Sequence, residues 1–126
     1  MAEEIIGQIE IEDDTAVITF SKSTVSSVDD IAAAGETIAA FIDANRPGRV
    51  IFDFKGVKFF SSQVLGLLLE TRARVAEYEG RVFISSINSQ LHRVFKITNL
   101  DQVFQFFPDT ESAVSALSHD SSDKPD

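Results

Sequence analysis

Apolar and polar residues alternate in the first part of the chain. The segment from Ile5 to Glu12 alternates from Ile9 onward, and Thr15 to Phe20 continues in β-branched residues after two aspartates. Together these segments predict a β-hairpin. Ser27 to Asp30 resembles a capping box with aspartate in the glutamate position, so a helix is expected to follow.

A helical spacing of apolar residues follows this box. The residues that share one face are Ile31, Ala34, Ile38, Phe41 and Ile42, and an Asn-Arg-Pro-Gly segment at 45–48 ends the pattern. Proline and glycine cannot extend a helix, so the helix is expected to stop there. Arg49 to Phe54 is apolar too continuously for a strand with one solvated face, which predicts a buried central strand.

The rest of the chain alternates between helical and strand patterns. After a loop at Gly56 to Phe60, a second helix begins near Ser61 or Ser62 and stops at Gly80. The segments that follow are a strand at 81–84, a short amphipathic helix at 88–98, a strand at 103–107 and a helix capped by Asp109 that runs to Leu117. The order β-β-α-β-α-β-α-β-α predicts one α/β domain at residues 1–117, with a mixed, mostly parallel sheet, an N-terminal hairpin and four helices. Residues 118–126 are expected to form a disordered polar tail.

Charge and composition narrow the function classes. The chain has 126 residues, no cysteine and a formal net charge of −9. This charge repels nucleic acids and anionic membranes, and the absence of cysteine excludes disulfides and thiol catalysis. An acidic start and short apolar runs argue against a leader or a membrane span, so a cytoplasmic protein without nucleic-acid or membrane partners is expected.

Metal sites are not expected from the spacing of potential ligands. His92 and His119 are far apart in the sequence, which does not match a helical histidine pair. The acidic residues of the hairpin, Glu10, Glu12, Asp13 and Asp14, lack the alternating pattern of a calcium loop. No metal or cofactor is therefore expected, and this acidic cluster is interpreted as a solvated hairpin tip.

The junction between the buried strand and the second helix carries two candidate hydroxyls, Ser61 and Ser62. The first turn of a helix has unpaired amide groups and the positive end of the helix dipole. A serine there can cap the helix, bind an anion or accept a phosphate. From the residues alone, capping is the simplest of the three interpretations.

Several segments together resemble the STAS domain of bacterial anti-sigma factor antagonists. They are Phe52-Asp-Phe54, Val57-Lys-Phe-Phe-Ser-Ser-Gln-Val-Leu-Gly66, Gly80-Arg-Val-Phe-Ile84 and Val94-Phe-Lys-Ile-Thr-Asn-Leu100. The resemblance covers nearly the whole folded chain and implies a STAS-like fold. The family motif before the second helix has an aspartate, a phosphorylated serine, a second hydroxyl residue and a glycine where this chain has Ser61, Ser62, Gln63 and Val64.

The resemblance implies a set of site residues. Ser62 is the expected phosphorylation site, with Ser61 as the second choice. The expected partner-binding residues are Phe60, Ser61, Ser62, Gln63, Ser23 and Thr24. Phe59 matches a core phenylalanine of the family and is expected to face inward, which leaves Phe60 as the more exposed ring. Val64, in place of the glycine, is expected to stiffen the turn.

The resemblance also implies a mechanism. The unmodified chain would bind an anti-sigma factor that is also a serine kinase with an ATP-binding, histidine-kinase-like fold, and so free a sigma factor. Phosphorylation would add about −1.5 to −2 charges and release the partner. ATP and magnesium would belong to the kinase, a PP2C-type phosphatase is a further implied partner, and the chain itself is expected to be a non-enzymatic monomer.

Two other function classes remain open from the sequence. The chain could be an accessory or scaffold subunit that binds another protein, such as a transporter ATPase, with Ser62 as a helix cap. It could also be a small hydrolase in which Ser62, His92 and Asp53 form a nucleophilic triad, which requires a hydrogen-bond geometry that sequence does not show.

Overall fold

The computed structural model describes residues 5–122. Within that range the chain forms seven strands, four α-helices and one short 3₁₀ helix. The strands are β1 (Ile6–Glu12), β2 (Thr15–Phe20), β3 (Thr24–Val25), β4 (Arg49–Asp53), β5 (Phe59–Phe60), β6 (Arg81–Ser85) and β7 (Gln105–Phe107). The helices are α1 (Val28–Asn45), α2 (Ser62–Ala76), α3 (Ser89–Ile97) and α4 (Thr110–Ser122), with the 3₁₀ helix at Leu100–Gln102.

The predicted hairpin is confirmed. β1 and β2 pair antiparallel, and Asp13 and Asp14 form the two-residue turn with φ of 52° and 68°. Aspartate tolerates the left-handed conformation that such a turn requires. The Asp14 carboxylate also accepts the Gly48 amide at 2.9 Å, which holds the hairpin turn against the residues that lead into β4.

The main sheet has the order β1-β2-β4-β6-β7. Every pair after the hairpin is parallel, so the sheet is mixed and mostly parallel, as the alternation of strands and helices predicts. Helices α1, α2 and α3 make the successive connections between these parallel strands. The predicted α/β fold class is therefore confirmed.

Helices cover both faces of this sheet. Alternate residues of a strand point to opposite faces, and the central strand β4 is buried on both, because Val50, Ile51 and Phe52 are each 0% exposed. The larger hydrophobic cluster joins one face to α1, α2 and α3, whereas the smaller one joins Ile51 and Phe83 to α4.

One prediction about an element end is wrong. Helix α2 ends at Ala76, before Gly80, and Glu79 takes the left-handed conformation with φ of 70°.

Helix α4 spans Thr110–Ser122. The expected disorder of the polar tail at residues 118–126 stays a prediction, and residues 123–126 lie outside the described residues.

A second, two-stranded sheet was not expected from the sequence. β3 pairs parallel with β5, with Thr24 opposite Phe59 and Val25 opposite Phe60. Both segments lie in stretches whose residue pattern predicts loops. Strands of two residues are too short to show an alternating pattern. No helix in the described part of the chain is long and apolar enough to cross a membrane.

Candidate functional site

The small sheet brings two distant segments of the chain to the start of α2. The Ser23 carbonyl accepts the amides of Lys58 and Phe59 at 2.7 and 3.2 Å, and the Val25 carbonyl accepts the amide of Ser61 at 3.0 Å. The loop that contains Ser23 is therefore held against the residues that lead into α2. This pairing joins two segments that are predicted separately as parts of the site.

Of the two neighbouring phenylalanines in β5, Phe60 is the buried one. Phe60 is 5% exposed and packs against Phe54 and Phe95, with ring centroids 5.6 and 6.0 Å apart, whereas Phe59 is 54% exposed. The predicted orientations of these two rings are therefore wrong. Consecutive strand residues point to opposite sides, so burying Phe60 turns Phe59 to solvent. Phe60 forms part of the floor of the site, and Phe59 replaces it as the exposed ring.

Ser61 is the N-cap residue of α2, but its side chain does not cap the helix. Its Oγ is buried and has no hydrogen-bond partner among the described residues. In contrast, Ser27 and Asn88 at the starts of α1 and α3 accept amides through their side chains at 3.2 and 2.8 Å. The capping interpretation therefore fails for the Ser61 hydroxyl.

Ser62 is the first residue within α2, and its side chain is exposed. A residue at this position follows the cap, so Ser62 is not the helix cap either. Its hydroxyl lies where the unpaired amides of the first turn give a positive electrostatic potential. Gln63 is exposed beside it.

The first turn of α2 contains no acidic residue, whereas the first turn of α1 contains Asp29 and Asp30. Negative charge near the N-terminus of a helix is stabilising. The first turn of α1 carries such charge, whereas the first turn of α2 is neutral. Val64 lies within this first turn and is completely buried. It is thus a core residue of the helix, and its expected stiffening of the turn stays a prediction.

Ser23 and Thr24 are exposed on the neighbouring strand and loop. With Phe59, Ser62 and Gln63 they form a surface of five uncharged side chains, which we call the junction surface, and the exposed Lys58 borders it. Its members come from two segments separated by more than thirty residues. The structure therefore brings together the predicted residues Ser23, Thr24, Ser62 and Gln63, places the Ser61 hydroxyl beneath them, and adds Phe59.

Phe59 and Val28 are exposed apolar residues that the sequence pattern did not reveal, at 54% and 58% exposure. Val28 precedes Ile31 by three positions, which is the spacing of a buried helical residue, so its pattern gave no indication of exposure. Phe59 could have been assigned correctly only by knowing that the segment is a strand and which of its faces is covered.

The hydrolase interpretation has no matching geometry. No hydrogen bond links Ser62, His92 and Asp53 within the described chain: the His92 ring packs edge-on against Phe106 at 4.6 Å, and Asp53 accepts the Lys55 amide at 2.9 Å. In the part of the chain that the structure describes, no group of three or more His, Cys, Asp or Glu residues is arranged to hold a metal ion.

Comparisons with known proteins agree with this architecture. A family model described as STAS domain matches residues 7–113. An anti-sigma-factor antagonist (STAS) domain protein from Planctomyces limnophilus is similar in structure, with a TM-score of 0.79, 24% identity and coverage of 91% of this chain and 98% of that chain.

Two structures named SpoIIAA, one in the unphosphorylated and one in the phosphorylated form, are also similar to this chain. The anti-sigma factor antagonist SpoIIAA in its unphosphorylated form has a TM-score of 0.78 and 18% identity, covering 89% of this chain and 96% of that chain. The Bacillus SpoIIAA in the phosphorylated form has a TM-score of 0.68 and 20% identity, covering 87% and 97%. At these identities the likeness establishes the fold.

Proposed function

Because the chain belongs to the STAS domain family, we propose that it is an anti-sigma factor antagonist whose junction surface binds an anti-sigma factor. The partner is a serine kinase that phosphorylates Ser62. The unmodified chain holds the kinase and frees a sigma factor for transcription, and the phosphorylated chain releases it.

The exposure of Ser62 at the first position of α2 is the observation that carries this proposal. A kinase can reach this hydroxyl without opening the fold. The Oγ of Ser61 is buried, so phosphorylation there would require local unfolding. The contrast supports Ser62 as the modified residue over Ser61.

The electrostatics of α2 support a phosphate at this position. The first turn has no acidic side chain to repel the phosphate, and the unpaired amides attract it. Since the position is exposed, water also continues to solvate the new charge. Phosphorylation is therefore expected to leave the fold of the unbound chain intact, and both forms of SpoIIAA are similar in fold to this chain.

The same phosphate would disrupt a complex. The junction surface is uncharged, and Phe59 offers an apolar ring of the kind that anchors protein interfaces. Burying a doubly charged group in such an interface removes its water, and the uncharged side chains of the junction surface do not offset that loss. Release of the partner follows from desolvation and requires no change of fold.

The remaining parts of the proposal rest on the resemblance to the family. ATP and magnesium are used by the kinase, and the chain itself carries no catalysis. A PP2C-type phosphatase resets Ser62, the exchange takes place in the cytoplasm where the kinase finds ATP, and the chain acts as a monomer.

One observation favours a second candidate function. Ser61 stands where the family motif has an aspartate, and the N-cap of α2 is left without a side-chain bond. A chain that departs from the motif here could be an accessory subunit that binds a different protein, such as a transporter ATPase, through the same surface without being phosphorylated.

The test uses Ser62→Ala and Ser62→Asp as baits in lysate of the source organism, with retained proteins identified by mass spectrometry. Ser89 provides a matched control, because it is the exposed first residue of α3. We expect a serine kinase to be retained by Ser62→Ala and lost by Ser62→Asp. Both Ser89→Ala and Ser89→Asp should retain it.

Phosphate transfer is then measured with the retained kinase and ATP. We expect incorporation into the unmodified chain and into Ser61→Ala, and none into Ser62→Ala. Retention of the same non-kinase protein by both Ser62 baits would replace the switch with the accessory-subunit function. Ester or phosphoester turnover that Ser62→Ala abolishes, with partner binding intact, would instead establish a hydrolase.

A further inference from the structure

A groove with a volume of about 790 Å³ runs along the seam between α1 and α2. Its lining begins at Val28 on α1 and Gln63 on α2, and it ends near Glu77. Gln63 and Glu77 are four helical turns apart, which corresponds to about 20 Å at 1.5 Å per residue. The groove meets the junction surface at Gln63, which belongs to both, whereas Ser62 is not part of the groove lining.

The floor of the groove is apolar and open. Ile31, Ile38 and Leu67 lie in it as buried side chains. Gly66 is in the wall formed by α2, and a Cβ atom added there would meet nothing within 4 Å. Glycine within a helix costs about 0.5 to 1 kcal/mol relative to alanine, so the helix gives up stability at a position where there is space for a larger side chain.

The charged residues of the groove are mostly acidic. Glu36 on α1, Glu70 on α2 and Glu77 directly after α2 line it, and none of the three forms an ion pair with a described residue. Arg74 is the single cation in the lining, and it already binds Asp43, with its Nη1 at 3.0 and 3.2 Å from the two carboxylate oxygens. The groove therefore combines an apolar floor with an excess of unpaired negative charge.

We propose that this groove binds a basic amphipathic helix of a partner protein, about four turns long. Recognition of an amphipathic helix in a groove buries the apolar face of the helix against an apolar floor. Lysine or arginine side chains at the edges of that helix would pair with Glu36, Glu70 and Glu77. A second copy of this chain fits poorly, because both copies carry a net charge of −9.

This binding is independent of the state of Ser62. The proposed function needs the junction surface and its hydroxyl, whereas this proposal needs only the space at Gly66 and the acidic walls. A failure of one can therefore be distinguished from a failure of the other. Ser62→Asp should lose the kinase and still bind the helix.

The probe is a fluorescein-labelled 16-residue peptide with leucines on one helical face and lysines and arginines on the other. A second peptide with glutamates in place of the basic residues is the charge control. Binding is followed by fluorescence anisotropy. We expect the basic peptide to bind saturably and the glutamate peptide not to bind. Gly66→Leu fills the groove and should weaken the affinity for the basic peptide at least about tenfold.

Charge variants test the second part of the proposal. Glu70→Lys should weaken binding about threefold and flatten its salt dependence. Glu12→Lys makes the same charge change at the exposed end of β1, outside the groove, and should leave the affinity within about twofold. If Gly66→Leu does not fold, the double variant Glu36→Lys, Glu70→Lys at exposed positions provides the same comparison.

Three results of the binding experiments would overturn the proposal. They are no saturable binding of the basic peptide, equal binding by the unmodified chain and the groove variants, and equal loss of binding in Glu12→Lys and Glu70→Lys. A self-association seen in sedimentation and abolished by Gly66→Leu would assign the groove to a second copy and would likewise overturn it.

Discussion

Two adjacent serines at the start of α2 differ in exposure, and this difference separates their roles. Ser61 occupies the N-cap position with a buried Oγ, and Ser62 presents its side chain to solvent one residue later. A buried hydroxyl without a partner costs free energy and contributes no bond. Ser61 therefore does not stabilise the helix start in the way that its residue type suggests.

Replacing Ser61 by alanine should not destabilise the protein. Because no hydrogen bond is lost, we expect the free energy of unfolding to stay unchanged or to rise by up to about 1 kcal/mol. Ser27→Ala is the matched control, since Ser27 caps α1 by accepting the Asp30 amide, and it should cost about 1 kcal/mol. Urea denaturation measures both, and an equal loss in the two variants would show that Ser61 does cap α2.

The sequence predicted the site at this scale only in part. Its residue types marked Ser62 and Gln63 correctly as members of the strand-to-helix junction, and both are exposed there. It could not decide between Phe59 and Phe60, because two neighbouring identical residues give no pattern. The choice depends on Phe54 and Phe95, which pack against Phe60 from other elements.

Among the elements, the helices followed the sequence most closely. The capping box at Ser27 and the aspartate at 109 predicted the starts of α1 and α4, and both side chains accept the expected amides. Such caps are local, because the bond joins residues three positions apart. β3 and β5 depend instead on each other across the chain, so no local pattern predicts them.

The cap of α4 should make that helix sensitive to acid. The Asp109 carboxylate accepts the Ser112 backbone amide at 2.7 Å, and this bond, with one from the Ser112 side chain, lowers the pKa of Asp109. A pKa lowered by folding means that the stabilisation is present above the unfolded pKa and is lost as pH falls through the folded pKa. We therefore expect α4 to fray first below about pH 4.

Carbon-detected NMR titration of the Asp109 carboxyl and hydrogen exchange of the Ser112 amide measure this effect. Asp109→Asn is the control, since asparagine keeps an acceptor oxygen but does not titrate in this range. Protection of Ser112 in that variant should be independent of pH. A pKa of Asp109 at or above its ordinary value would contradict the prediction.

The central sheet of the molecule is covered by helices on both faces, and one face is covered more extensively than the other. Three helices cover one face, whereas α4 covers part of the other through a small cluster of Ile51, Phe83, Ala113 and Leu117. Leu117, near the C-terminal end of the chain, is only 4% exposed. The last helix therefore packs against the sheet as part of the hydrophobic core.

Leu117→Ala should destabilise the whole domain by about 2 to 3 kcal/mol, because it leaves a cavity against the central strand. Val114 lies on the same helix at 37% exposure, and Val114→Ala should cost about 0.5 kcal/mol or less. Both values come from urea unfolding followed by fluorescence of Tyr78 and by circular dichroism. A small, equal effect of the two variants would mean that α4 does not stabilise the sheet.

The sequence by itself determined the order of the elements, the class of the fold and the helix caps. These features depend on the periodicity of apolar residues and on hydrogen bonds between residues a few positions apart. Both can be recognised from short stretches of the sequence. The segments around Ser62 also indicate the family, because their resemblance to it lies in short runs of consecutive residues.

Only the tertiary structure decided the make-up of the site. It paired the loop of Ser23 with the residues before α2, turned Phe59 outward, buried the Ser61 hydroxyl and left a groove beside Gly66. Each of these depends on contacts between segments that are far apart in the chain. Whether a side chain is buried or exposed depends on the residues that surround it in space. The spacing of residues along the sequence does not give this information.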